Sequence, residues 1–273
     1  MAPSNQTRPA FTRRDLTVLT VLCLLLCPLF LPAAQKAKQN ADKLKCSNNL
    51  KTLILGLHNC HDTYGLLPPI VGDFPPDKHG HGTILFHLLP YFDQNELYKS
   101  SEGEKDHFSI WNNGVYSKVV DLFLCPADTS GGKDNRYEGW LALSSYGANF
   151  QVFGDPVNNT MQGSSRIASV TDGLSNTIFF AERYQICNGT PNGWGYAGES
   201  SQAPAFGYLN LDLFQPQPAQ KNCDPALTQS THPGGILVAL GDGSVRTINL
   251  NLSPDTWWKA IIPNDGLPMG NDW

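Results

Sequence analysis

The run Leu16–Leu31 (LTVLTVLCLLLCPLFL) holds sixteen residues without a charge. A helix needs about twenty apolar residues to cross a bilayer, and a cleavable secretory core only about 7–15, so this run falls between the two. Arg8, Arg13 and Arg14 precede it, which orients the N-terminus to the cytoplasm and everything after Leu31 outside. No clean A-x-A cleavage pattern follows the run. The chain therefore reads as a single-pass cell inner membrane protein, held through residues 16–31, with a periplasmic or extracytoplasmic main domain.

Behind the anchor, Ala34, Ala37, Ala41 and Leu44 recur at helical steps, and Cys46, Leu50, Leu53, Ile54, Leu57, His61 and Tyr64 continue them. Gly65 and Pro68-Pro69 are stop signals, so residues 33–65 read as an amphipathic stalk helix. His58 and His61 then lie on or beside the packed face. The remaining chain is short of charge and carries much of the protein's 25 Gly and 20 Pro, a composition that favours loops and strands over a helical bundle. A net charge of −5 gives no reason to expect nucleic acid as a partner. The expected layout is a polar leader (1–10), an apolar helix (11–32), the stalk (33–65), an α+β body (66–263) and a loose tail (264–273).

Of the seven cysteines, Cys23 and Cys27 sit in the apolar run. Cys46, Cys60, Cys125, Cys187 and Cys223 form no C-x-x-C pair and no zinc-finger spacing, so no metal or cofactor is expected from them. Export implies one or two disulfides. Cys187 and Cys223 flank one Gly/Pro-rich region and are the favoured pair.

In the body, Thr83–Tyr98 (TILFHLLPYFDQNELY) resembles a family segment that implies a short packed element with an aromatic anchor, which is preferred to a metal site with His79, His81 and His87. Val170–Glu182 gives an Asp172-Gly173 turn and then a strand. Asp172 and Glu182 stand at a turn and a far strand end, and so are not expected to pair for acid–base work. His232-Pro233-Gly234-Gly235 opens a strand that leads to the Asp242-Gly243 turn and a return strand from Val245. At about 3.3 Å per extended residue, His232 and Asp242 stand about 20 Å apart, which excludes a dyad. Ser253 with Pro254 starts a last helix. The aromatics Trp194, Tyr196, Phe206 and Tyr208 punctuate a long loop, the candidate ligand loop for a saccharide or other solute. No nucleophile elbow, phosphate loop, dinucleotide fingerprint or H-E-x-x-H occurs, and no catalytic residue or enzyme activity is expected.

Several stretches resemble known families. Ala10, Phe11 and Asp15, ahead of an apolar helix, are similar to a type IV prepilin start, with Ala10 where glycine is usual and Asp15 where glutamate is usual. The segment Phe30-Leu31-Pro32-Ala33-Ala34-Gln35 continues the likeness. Cys46-Ser47-Asn48-Asn49-Leu50-Lys51, His58-Asn59, Cys125-Pro126-Ala127-Asp128 and His232 with Asp242-Gly243 (H-x9-D-G) resemble a large bacterial, planctomycete-expanded pseudopilin-like family of unknown function. The resemblance implies processing at Ala10–Phe11 and a pilin-like α+β fold, with a long N-terminal helix packed on an antiparallel sheet. It also implies a structural or assembly role in a type II secretion or type IV pilus-like system, through self-association or other pseudopilins. The alternative is an anchored envelope solute- or saccharide-binding module.

Overall fold

The computed structural model describes residues 13–75, 80–104, 107–208 and 213–273; the side chains of residues 19 and 21–31 are also outside the described set. Ala10, Phe11 and His79, and the side chains of most of the expected membrane segment, thus lie beyond it. Among the described residues no helix is long and apolar enough to cross a membrane. The chain divides into two units, Met1–Ala41 and Asp42–Trp273.

Helix α1 runs from Arg13 to Tyr64, with Asp15 in its first turn. The backbone stays helical through Pro32, so the expected boundary there is not a break. Within the second unit its buried hydrophobic positions are Cys46, Leu50, Leu53, Ile54, Leu57 and Cys60, a single helical face. Gly65 ends the helix with φ +66 and donates its N–H to His61 O at 2.7 Å.

That face packs on a five-stranded sheet made of β1 (Tyr146–Asn149), β2 (Ile178–Glu182), β3 (Ala205–Phe206), β4 (Ile236–Leu240) and β5 (Val245–Ile248), in the order β3–β1–β2–β4–β5. Within this sheet, among the described residues, only the short β3–β1 pairing is parallel. Phe153, Phe179, Phe180, Leu237 and Ala239 meet the helix face in one core. Beyond the sheet, helix α2 (Pro254–Ile261) buries Trp257 against Phe214 in a second cluster, and Ser253 Oγ caps it by accepting from Thr256 N. The chain is an α+β fold rich in antiparallel pairing.

The tail is not loose. Trp273 lies under Arg246 at 4.4 Å, Asp272 accepts from Ser253 N, and Asp172 accepts from the N–H groups of Asp265 and Gly266 at 2.7 and 2.9 Å. A carboxylate in the Asp172-Gly173 turn thus fastens residues nearly a hundred positions downstream.

The segment after Thr83 is a packed turn of helix, Ile84–His87, the short packed element that the resemblance implies. Its His87 is buried against Phe74 and Phe86, and Nε2 donates to Gly72 O at 3.0 Å. His81 pairs instead with Asp73 at 2.8 Å. Burial pushes the His87 imidazole down from 6.5 to about 4. A folded pKa below the unfolded one means that stability is complete above pH 6.5 and is lost as pH falls towards 4. We expect a loss of about 3 kcal/mol across that window, read as a falling urea midpoint between pH 7 and pH 4. His87→Leu should flatten the slope.

Candidate functional site

Where β2 ends against α1, four side chains from four distant parts of the chain converge. Cys46 on α1 forms a disulfide with Cys125, 79 residues away. Glu182, the last residue of β2, and His232, in the loop before β4, complete the group, and all four are buried. His232 Nε2 stands 3.0 Å from Glu182 Oε1 and 3.5 Å from Cys125 Sγ. One ligand-type atom from each residue lies within 4.8 Å of every other.

The surroundings hold this arrangement in place. Glu182 Oε2 accepts from Leu237 N at 2.9 Å, and Oε1 accepts from Thr231 Oγ1 at 3.2 Å. A buried carboxylate needs such donors, because desolvation of an unpaired one costs several kcal/mol. Tyr146, opposite Glu182 in the β1–β2 register, reaches α1 through Asn49, whose Nδ2 also donates to Leu124 O at 2.9 Å. Asn49 therefore ties helix, sheet and the Cys125 loop together, while Asn48 is exposed.

Glycines fit the loop around His232. Gly234 and Gly235 have φ +91 and +145, and a Cβ on Gly235 would collide with the carbonyl oxygen of Ile248 on β5. Ser230 Oγ donates to the carbonyls of His232 and Gly235, closing the loop on itself.

His232 and Asp242 do not meet, as their separation along a strand predicts. Asp242 shapes the hairpin turn, accepting from Ser244 N and Oγ at 2.8 and 2.7 Å. The turn docks on α1: Lys51 Nζ donates to Gly243 O at 2.5 Å, and His58 Nε2 donates to Gly241 O at 2.9 Å. His58 is a docking residue beside the packed face.

Next to the buried group opens a polar cleft of about 250 Å³, lined by Asp128, Ser130, Tyr184, Gln217, Gln220 and Thr231 among others. Asp128 forms part of its floor. It accepts from Ser130 N and Oγ, Ser145 Oγ and Gln185 N, and burial nonetheless raises its carboxyl pKa. Thr231 belongs to both cleft and cluster, with Oγ1 3.4 Å from Cys125 Sγ.

The aromatic loop reads differently in three dimensions. Trp194 and Phe206 are core residues: Trp194 donates Nε1–H to Lys118 O and packs on Phe123, and Phe206 lies in β3. Half-buried Tyr208 packs on Phe150, and Tyr196 meets Trp111 edge-on. The four do not form one ligand-facing surface. Phe206 and Tyr208 line a small pocket with Trp257 and Ile261, and the polar cleft, unmarked by any aromatic run, is a roomier concave site.

Cys187 and Cys223 are bonded, and Cys60 remains a buried thiol whose pKa burial raises to about 12.

A helix-led α+β domain with two disulfides and a buried Cys/Glu/His group defines the class. Residues 35–255 match the family model SBP_bac_10, "Protein of unknown function (DUF1559)", and the chain belongs to that bacterial family. No curated protein matches it, and no solved structure does.

Proposed function

We propose that this protein is a non-enzymatic, pseudopilin-like assembly component of a type II secretion or type IV pilus-like system, anchored in the inner membrane with its body outside the cytoplasm. One observation carries the reading: a single helix serves two units. Every described side chain from residue 13 to 41 is exposed, whereas from Cys46 onwards the same helix buries a face and is crosslinked to the body. An exposed first half is left for neighbouring copies or other pseudopilins. Two disulfides suit an oxidising compartment. Intact mass and N-terminal sequencing of the protein from its native membrane fraction test the reading. A mature start at Phe11, N-methylated, is expected; a soluble chain starting near Gln35 would overturn it.

The polar cleft favours a second reading, a binding module for a small polar solute such as a saccharide. Its hydroxyl and amide lining suits a neutral, hydroxyl-rich ligand. That reading requires monosaccharide-dependent thermal stabilisation that Tyr184→Ala removes; no shift across a sugar panel would sink it.

A further inference from the structure

The Cys46–Cys125 bond occupies only part of the chemistry assembled around it. A disulfide needs no carboxylate or imidazole, and an apolar shell would serve it at lower desolvation cost. Here a fully buried Glu182 and a nearly fully buried His232 both face the sulfurs. Two cysteines, a histidine and a carboxylate are the donor set of tetrahedral zinc sites. With Zn–S of about 2.3 Å and Zn–N of about 2.0–2.1 Å, tetrahedral ligand atoms stand about 3.3–3.8 Å apart. The four ligand atoms already fall within 4.8 Å of one another, and His232 Nε2 is 3.0 Å from Glu182 Oε1.

We propose that, when the Cys46–Cys125 bond is reduced, Cys46, Cys125, Glu182 and His232 form a buried site for Zn²⁺, so that disulfide and metal are alternative closures of one crosslink. A dithiol supplies two electrons and two protons: the Cys46–Cys125 S–S bond breaks, two thiols form, and the dithiol leaves as a cyclic disulfide. Zn²⁺ then binds two thiolates, the Glu182 carboxylate and the neutral imidazole through Nε2. The two thiol protons go to solvent, and the imidazole proton moves to Nδ1. Leu237 N–H and Thr231 Oγ1 already hold the carboxylate, the supporting contacts that metal-ligating groups use to fix their orientation. The cleft reaches Thr231, whose Oγ1 stands 3.4 Å from Cys125 Sγ. This proposal is independent of the assembly reading and stands or falls by itself.

The full chain is reduced anaerobically with a phosphine, which takes the oxygen of water to become its oxide and does not chelate. It is then titrated with Co²⁺ as a spectroscopic stand-in for Zn²⁺. The expected result is one Co²⁺ per chain, with thiolate-to-cobalt charge-transfer bands and the intense d–d bands of a tetrahedral site, all displaced by Zn²⁺. The oxidised chain should show none of these. Cys187→Ser/Cys223→Ser should keep the signal, and Cys46→Ser/Cys125→Ser should abolish it. Glu182→Gln, which leaves the disulfide able to form, should weaken Co²⁺ binding at least about tenfold. Absence of the bands in a reduced wild-type chain that is folded by circular dichroism overturns the proposal. So does their persistence without Cys46 and Cys125, or a reduced chain that unfolds and is not restored by Zn²⁺.

Discussion

Replacing Cys46 and Cys125 together with alanine is expected to lower the free energy of unfolding by about 4.5 kcal/mol. The crosslink joins residues 79 apart, and closing a loop of that length removes about 15 cal/mol/K of entropy from the unfolded chain. By the same relation the Cys187–Cys223 bond, spanning 36 residues, contributes about 0.7 kcal/mol less. Position widens the gap. Cys46 and Cys125 clamp α1 to the sheet core, so their loss also leaves a void beside Glu182 and His232, whereas Cys187 and Cys223 close a peripheral loop. Urea unfolding of both double variants measures the difference. A loss below about 1 kcal/mol for the Cys46/Cys125 pair would show that helix packing alone holds α1 in place. The same magnitude bears on the metal proposal, since a reduced chain lacks this constraint and Zn²⁺ at the same four residues would restore it.

Those parts of the fold that depend on neighbours in sequence were legible. The helix stop at Gly65, the β4–β5 hairpin around Asp242-Gly243, the Ser253 cap and the Cys187–Cys223 pair all follow from spacing and turn chemistry within a few dozen residues. The buried site was not legible in this way. Cys46, Cys125, Glu182 and His232 come from a helix, a loop, a strand end and another loop, and nothing in their spacing signals convergence. Glu182 was also weighed against the wrong partner: Asp172 holds the tail, while His232, fifty residues on, supplies the contact. One faint signal was there. A glutamate closing the run Ile178–Ala181, every residue of which is buried, has to find a donor inside the protein. The aromatic loop misled for the opposite reason. Gly- and Pro-rich sequence implies surface, yet Trp194 and Phe206 are core residues, because the loop is folded back and fastened by its disulfide and by several side chains, among them a buried one that no local pattern marks.

That side chain is Arg183, next after Glu182. It is buried, and its guanidinium donates to Asn192 Oδ1 and to the carbonyls of Ser201, Ala203, Ala205 and Pro225, at 2.6–3.3 Å. None of these five acceptors is a carboxylate. Desolvation lowers the Arg183 pKa, and the cation is stabilised by carbonyl dipoles gathered from residues 192–225. Arg183→Met keeps much of the volume and removes every donor, leaving four backbone carbonyls without this partner in the interior. Each unmade buried hydrogen bond costs about 1–3 kcal/mol, and the costs do not add fully, so we expect a loss of about 3–5 kcal/mol. Arg183→Lys should recover only part of it, since three donors on one nitrogen cannot span acceptors that a planar fork reaches. Hydrogen exchange should separate local from global failure, with amides of residues 192–228 losing protection first while those of α1 between Cys46 and Cys60 keep theirs. If Arg183→Met unfolds within about 1 kcal/mol of the parent, the loop is held by its disulfide and apolar contacts, and the guanidinium is dispensable. If it falls by the expected amount, the long loop that walls the polar cleft owes much of its shape to a single buried cation.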